Sequence, residues 1–349
     1  MNTIAVDAMG GDSAPEEIVK GAIKAKNLGI DIILCGDKNL IEHFLKDSQI
    51  PVVHYPEVIS MDDDPARAIR TKKNSSIVGA MQLVKDNKAS AVFSAGSTGA
   101  SLVAAISVLG KIKGVIRPAI ASVLPSIDRE IVLLDSGASL EVKPKVLLQF
   151  AAMGSKFAEV LFNIPAPRVG LLNNGEESSK GRDLEKNTYK LLKSSNLNFI
   201  GNIEGRDFAT DSADVFVTDG FTGNIVLKTM EGTARLQQKM IKKSFIENLF
   251  KPLLLPVNKA LKPVKDRLDP DKTNGAYLLG VNGVVTIAHG SSSAEAVMNS
   301  IIFSNKTVES GFISKFTNTI SELWVKHLCL NLRKLLVIPF KILNSWRLH

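Results

Sequence analysis

Short apolar runs alternate along this chain with longer segments in which apolar positions recur at helical spacing. TIAVDA precedes a helical pattern from Pro15, DIILCG precedes one running through Leu45, and SAVFSAG precedes one from about Thr98 to Leu109. Repeated strand-then-helix order predicts a mostly parallel sheet covered by helices. Further strands are predicted at PAIASVLP, EIVLLD, RVGLLN, NFIGNI, DVFVTDG and GVVTIAHG. Asp12 or Ser13 is expected to cap the first helix, with Pro15 in its first turn and Glu16 and Glu17 near its positive dipole end. The pattern contains no internal repeat and no low-complexity linker.

Composition agrees with a folded chain. At 349 residues, 45% hydrophobic and 22% charged, it can bury one large or two moderate cores. The longest uncharged stretch, Ala91 to Gly110, has the length of a membrane span, but SAGSTGAS interrupts it and suits a strand-to-helix turn better. The opening MNTIAVDAMGGD has neither the basic nor the apolar region of a secretion signal, so the cytoplasm is the expected compartment. Cys35 and Cys329 are far apart and outside any CxxC, which argues against a disulfide framework or a structural zinc site. Cys35, ending an apolar run, reads as a buried strand thiol.

The net charge of +8 is local. Residues 239–267 hold eight Lys/Arg against two acids, and residues 323–349 hold five against none, so the remainder is slightly acidic. Basic stretches mixed with Leu, Ile, Phe and Trp favour an anionic membrane surface, and no nucleic-acid motif accompanies them. Ser244 to Leu268 reads as two helices meeting near Pro252 to Pro256, with Leu253, Leu254 and Leu255 at an exposed tip. If residues 323–338 are helical, Trp324, Leu328, Leu332 and Leu335 form one stripe and Lys326, Arg333 and Lys334 another. The alternative for the first segment is a contact between protomers that buries the same leucines, and for the tail it is packing on the protein's own surface.

In an open α/β sheet, ligands gather where strand ends feed helix N-termini, whose free N–H groups attract anions. Five predicted strands end in small or polar residues: DAMGGDSAP, SAGSTGAS, LLNNGEESSKG, TDGFTGNIVLK and AHGSSS. All five are expected at one cleft. Gly10, Gly11, Asp12, Gly96, Ser97, Thr98 and Gly99 are the candidate phosphate-binding positions. Lys180, Asn224, Lys228, Asp219 and His289 are the catalytic candidates, His289 because it ends a strand directly before Gly-Ser-Ser. No dinucleotide GxGxxG after a strand, no GxxxxGK[ST] and no HExxH occurs, which favours a transfer without cofactor or metal.

The same loops carry a family resemblance. AVDAMGGD, RAIRTKKNSSIVGAMQLVK, SAGSTGA, LLDSGAS, QFAAMGSKFA, RVGLLNNGEESSKG, FIGNIEGRD, DVFVTDGFTGNIVLKTMEG, NGAYLLGVNGVV and AHGSS, in this order across residues 3–305, resemble the PlsX family of acyl-ACP:phosphate acyltransferases. The resemblance implies a Rossmann-like three-layer α/β/α fold of the isopropylmalate dehydrogenase and phosphotransacetylase class, carrying a protruding helical hairpin. It also implies a homodimer that converts acyl-ACP and inorganic phosphate to acyl phosphate for a membrane glycerol-3-phosphate acyltransferase. Ser97, Ser139 and Ser293 stand where the family more often has Asn.

The expected organisation is a catalytic α/β domain over residues 1–320 with two lobes around one cleft, a hairpin inserted at 242–268, and a basic amphipathic tail over 321–349. Three alternatives to acyl-ACP:phosphate transfer are an acyl-CoA phosphotransacetylase, a nicotinamide-dependent dehydrogenase on the related fold, and a non-enzymatic lipid-binding subunit.

Overall fold

The computed structural model describes residues 2–248 and 275–321, with residues 259, 262–264 and 267 between them. The first run of the chain is β1 (Ile4–Asp7), α1 (Glu16–Asn27), β2 (Ile32–Gly36), α2 (Lys38–Leu45), β3 (Val52–His54), α3 (Pro65–Thr71), α4 (Ser76–Lys85), β4 (Ala91–Ser94) and α5 (Thr98–Val108). It continues through β5 (Ala119–Pro125), β6 (Glu130–Leu134), α6 (Pro144–Phe162), β7 (Val169–Leu172), α7 (Asp183–Lys193), β8 (Phe199–Ile203), a 3-10 turn (Gly205–Ala209) and β9 (Val215–Val217). The long helix α8 (Gly220–Asn248) follows, and β10 (Ala276–Leu279), β11 (Val284–Ile287) and α9 (Ala294–Glu309) complete the set, with residues 312–321 also helical.

The eleven strands among the described residues join one sheet in the order β3-β2-β1-β4-β11-β10-β5-β6-β9-β7-β8. β3, β2, β1, β4 and β11 are mutually parallel, and so are β6, β9, β7 and β8. Between them β10 and β5 pair antiparallel on both sides, so the two blocks run in opposite directions. The mostly parallel sheet expected from the sequence is therefore present, with an antiparallel centre that the strand-then-helix pattern did not announce. β3 and β10 were not predicted either.

Alternation along the strands assigns the layers. Ile4 and Val6 of β1 pack with Ile18 of α1, Ile41 of α2 and Val297 of α9, whereas Ala5 faces Met81 of α4 and Ala104 of α5. In the second block Val132 and Leu134 of β6 meet Phe150 and Phe157 of α6, and Ile131 and Leu133 meet Phe208 with Leu227 and Met230 of α8. Burying each such large apolar side chain stabilises the fold by about 1.5–3 kcal/mol, enough to make these faces the dominant constraint on strand register. Helices thus cover both faces, but the α3–α5 layer and α8 leave a gap between them over β5.

Two expectations change. The start of α1 carries no side-chain cap: Pro15 is its N-cap residue, and Asp12 and Ser13 lie in a preceding turn. That turn is held by its backbone, with the Asp12 N–H donating to the Gly290 carbonyl at 2.7 Å and the Glu17 N–H to the Ser13 carbonyl at 3.1 Å. Glu17 instead accepts from the Ala294 N–H at 2.8 Å, placing its charge at the start of α9. The Ala91–Gly110 stretch divides into β4 and α5, and no helix among the described residues is long and apolar enough to cross a membrane. The tip leucines Leu253, Leu254 and Leu255, and the tail with Trp324, lie outside the described residues.

Candidate active site

A cavity of about 340 Å³ occupies the gap over β5. Its floor is Ile120, Ser122 and Leu124 of β5; one wall is Asn224, Lys228 and Glu231 of α8, and the other is Thr98 at the start of α5 and His289 after β11. Ile120, Val123, Leu124, Leu227 and Met230 make much of the lining apolar, so the cavity combines an oily surface with a few polar groups.

The α8 wall is set by close backbone approach. A Cβ on Gly223 would lie 1.9 Å from the Asp135 carbonyl oxygen, so only glycine lets the first turn of α8 rest on the loop after β6. Asp219 begins the helix: it accepts from the Thr222 N–H at 2.8 Å and the Thr222 hydroxyl at 3.0 Å, and pairs with Arg182 at 2.7 Å. Asp135 holds the other side of this contact. Its carboxylate is fully buried and accepts from the N–H groups of Ile120, Gly137, Ala138 and Ser139 at 2.7–3.1 Å. Burial pushes its pKa up, and those four hydrogen bonds oppose the rise. Ser122 and Ser136 share a buried hydrogen bond of 2.7 Å beside this loop and line the same cavity.

Lys228, Glu231 and His289 form the charged part of the lining. Lys228 Nζ donates to Glu231 Oε2 at 3.0 Å, and His289 Nε2 lies 3.3 Å from Glu231 Oε1. Burial would raise the Glu231 carboxyl, but the two partners outweigh it and hold its pKa at about 2. Glu231 is therefore an anion throughout the working range of pH.

The predicted site residues divide into three groups. Thr98, Asn224, Lys228 and His289 share the cavity. Gly10, Gly96 and Ser97 line an adjacent recess of about 10 Å³, room for about one water molecule, over the buried Asp7. Burial raises the Asp7 pKa, against hydrogen bonds from Ser76, Ser94 and the backbone. Gly10 is needed there, since a Cβ would meet Asp7 Oδ2 at 2.6 Å and the Gly96 nitrogen at 2.7 Å. Gly11 and Asp12 contact the Gly290 loop, and Gly99 packs against Pro65 of α3. Lys180 is exposed on the loop after β7, where its backbone carbonyl accepts from Asn173. The LLNNGEESSKG loop contributes no residue to the cavity lining, and Arg182 just after it reaches Asp219 at the start of α8.

Glu231, Asp135 and the Ser122–Ser136 pair were not singled out by sequence. LLDSGAS and KTMEG do contain three of these residues, but nothing local distinguishes a site carboxylate from a solvated or capping one. The serines at 97 and 293 have a clear role: each caps a helix, accepting from the Ala100 and Ala296 N–H groups at 3.4 and 3.3 Å. Serine and asparagine cap almost equally well, so these departures from the family pattern preserve the start of α5 and of α9. Ser139 is buried, its N–H on Asp135 and its carbonyl accepting from Gly220. Cys35 is buried in β2, and burial pushes its thiol pKa up, as suits an inert strand position.

The architecture is that of the phosphotransacetylase class. A solved phosphotransacetylase from Streptococcus pyogenes superposes with a TM-score of 0.61 at 17% identity, covering 88% of this chain and 94% of its own. In sequence, the phosphate acyltransferase of Pelotomaculum thermopropionicum is 48% identical over 93% of this chain and 96% of its own length. That of Desulfitobacterium hafniense is 47% identical over 89% and 96%. The family model described as fatty acid synthesis protein matches residues 2–315, and the chain belongs to this family, that of the PlsX phosphate acyltransferases.

Proposed function

We propose that this protein transfers a long-chain acyl group from an acyl-carrier-protein thioester to inorganic phosphate, in the cavity between α5, α8 and β5. The observation that carries the reading is the meeting of an apolar lining with Thr98, Asn224, Lys228 and His289 in one cavity, within a family of phosphate acyltransferases.

A phosphate oxygen attacks the thioester carbonyl carbon, the C–O bond forms, the C–S bond breaks, and the proton of hydrogenphosphate ends on the carrier thiol. No protein nucleophile is needed. Catalysis then rests on placement and preorganised charge, each worth several kcal/mol. The Thr98 end of α5 offers N–H groups and the positive helix end to phosphate, and Lys228 adds a cation. Asn224 serves the oxyanion and His289 the leaving sulfur. The apolar stretch from Ile120 to Leu124, facing Leu227 and Met230, suits the first carbons of the chain. Gly10, Gly11, Asp12 and Gly96 to Gly99 shape the loops that set Thr98, and Lys180 meets the part of the substrate that extends past the cavity.

The finer reading is a homodimer with its catalytic domain over residues 1–320, attached to the inner face of the cell membrane through the 242–268 hairpin and the basic tail. There a glycerol-3-phosphate acyltransferase would consume the product. Basic segments of +6 and +5 in an otherwise slightly acidic chain support the attachment.

Purified protein mixed with long-chain acyl-ACP and phosphate, without metal, nucleotide or nicotinamide, is expected to form hydroxylamine-trappable acyl phosphate. Folded protein that forms none would refute the reading, and product from acetyl-CoA in place of acyl-ACP would redirect it to a short-chain phosphotransacetylase.

A further inference from the structure

The structure assigns Glu231 as a positioning residue that ties Lys228 and His289 together at the cavity wall, so that one substrate-facing cation and one substrate-facing imidazole are held in a fixed relation. The inference rests on the acyl-transfer reading of this cavity and extends it to a residue that contacts neither substrate.

Three observations carry it. The first is geometric: Lys228 and Glu231 are three residues apart on α8, and His289 arrives from the far end of the chain after β11. The carboxylate accepts from the lysine at 3.0 Å on Oε2 and 3.3 Å on Oε1, and Oε1 also lies 3.3 Å from His289 Nε2, so one carboxylate bridges both partners. The second is the order of burial, with the Glu231 side chain 14% exposed while Lys228 is 53% and His289 43% exposed. The anion lies behind its two partners, and they, rather than it, are open to a ligand. The third is location. A surface ion pair placed for stability alone contributes little, whereas all three of these residues line the cavity.

The arrangement has a chemical consequence for His289. With Nε2 held by the carboxylate, Nδ1 is the nitrogen left for the reaction. A neutral imidazole so held takes the proton of hydrogenphosphate on Nδ1 as the phosphate oxygen bonds to the acyl carbon. The imidazolium then returns that proton to the departing sulfur, so no proton is gained or lost overall. A carboxylate behind an imidazole is the arrangement that orients the ring and stabilises the transient cation in hydrolytic triads. Lys228, restrained by the same carboxylate, keeps its ammonium beside the incoming phosphate and away from solvent-directed rotamers.

The test uses the full-length protein, acyl-ACP and inorganic phosphate, and compares Glu231→Gln, Glu231→Ala, His289→Asn and the double variant Glu231→Gln/His289→Asn. Both single Glu231 variants are expected to lose at least tenfold in kcat, with a smaller change in the KM for phosphate and a nearly unchanged melting temperature. The double variant is expected to be slower than His289→Asn by clearly less than the loss of Glu231→Gln alone, because the part of the Glu231 effect that acts through His289 disappears with the ring while the part through Lys228 remains. Near-normal kcat in both single variants would overturn the inference, as would additive losses in the double variant. Should the alanine variant unfold, the isosteric glutamine variant carries the comparison. Wild-type protein that makes no acyl phosphate would instead overturn the functional reading beneath it, which keeps the two failures distinct.

Discussion

Asn224 sits one turn into α8 with its side chain against Gly137, between the Asp135 loop and the cavity. It is exposed and packs into no core cluster, so its removal costs the fold little. In its proposed role as oxyanion donor it would be worth much more: losing one such donor typically slows a reaction by 10²–10³. Asn224→Ala is expected to lower turnover at least tenfold, about 1.4 kcal/mol of transition-state stabilisation, with little change in melting temperature. Lys180→Ala is expected to show the same pattern through substrate contact outside the cavity. Steady-state acyl phosphate formation with thermal melts on the same preparations checks both, and near-normal turnover in the two variants would mean that the polar wall has been assigned to the wrong residues.

Between elements, Asp214, just before β9, is a charged joint that ties two strands together. Its buried carboxylate meets Arg129 at 2.5 Å and Arg168 at 3.2 Å, tying the turn before β6 to the start of β7. Burial alone would raise the Asp214 pKa, but hydrogen bonds from Arg168 and the charges of both arginines lower it below the ordinary carboxylate value. A carboxyl with a lowered folded-state pKa adds stability that is fully present above its unfolded pKa and is lost as pH falls through the folded one. Asp214→Asn is therefore expected to lower unfolding free energy by about 3 kcal/mol at neutral pH, the scale for breaking a buried pair. The deficit relative to wild type should shrink as pH falls below about 4. Denaturant melts from pH 7 to pH 3 would show it, and a deficit independent of pH would mean the effect is one of packing.

The same scale explains what could be read from sequence. PAIASVLP, EIVLLD and RVGLLN announced their strands because apolar runs bounded by charges and turn residues have few other solutions. β3 escaped because VVH, on the sheet edge and only partly buried, lacks the apolar run that marked the other strands, and β10 was missed although it is as long as β1 or β4. The Asp12 or Ser13 cap failed because the turn there answers to the Gly290 carbonyl, a long-range partner that a local rule cannot contain. Likewise Thr98, Asn224, Lys228 and His289 were legible as strand-end polar residues, whereas Glu231 reads as one acid beside a lysine on a helix until β11 brings His289 to it.

At the scale of the molecule, the proposed membrane contact is separable from the catalytic fold. Leu253→Glu with Leu254→Glu is expected to release the protein from anionic vesicles while dimer and acyl phosphate formation persist. In the proposed contact, apolar insertion and polybasic attraction, about 1 kcal/mol per cation near the surface, would act together. Co-sedimentation with phosphatidylglycerol-rich vesicles, paired with size-exclusion measurements, distinguishes this from a subunit contact, since loss of the dimer would assign those leucines to the interface.

The order of strands also bears on how the protein is made. β11, near the end of the described chain, lies between β4 and β10, both of which emerge from the ribosome earlier. Until residue 287 is available, β4 exposes an unpaired edge, and the block it belongs to has no partner across the centre of the sheet. Open strand edges recruit other chains. The two blocks of the nascent protein therefore join across the sheet only once synthesis has reached β11, and the cavity over β5, whose wall includes His289, exists only after that insertion.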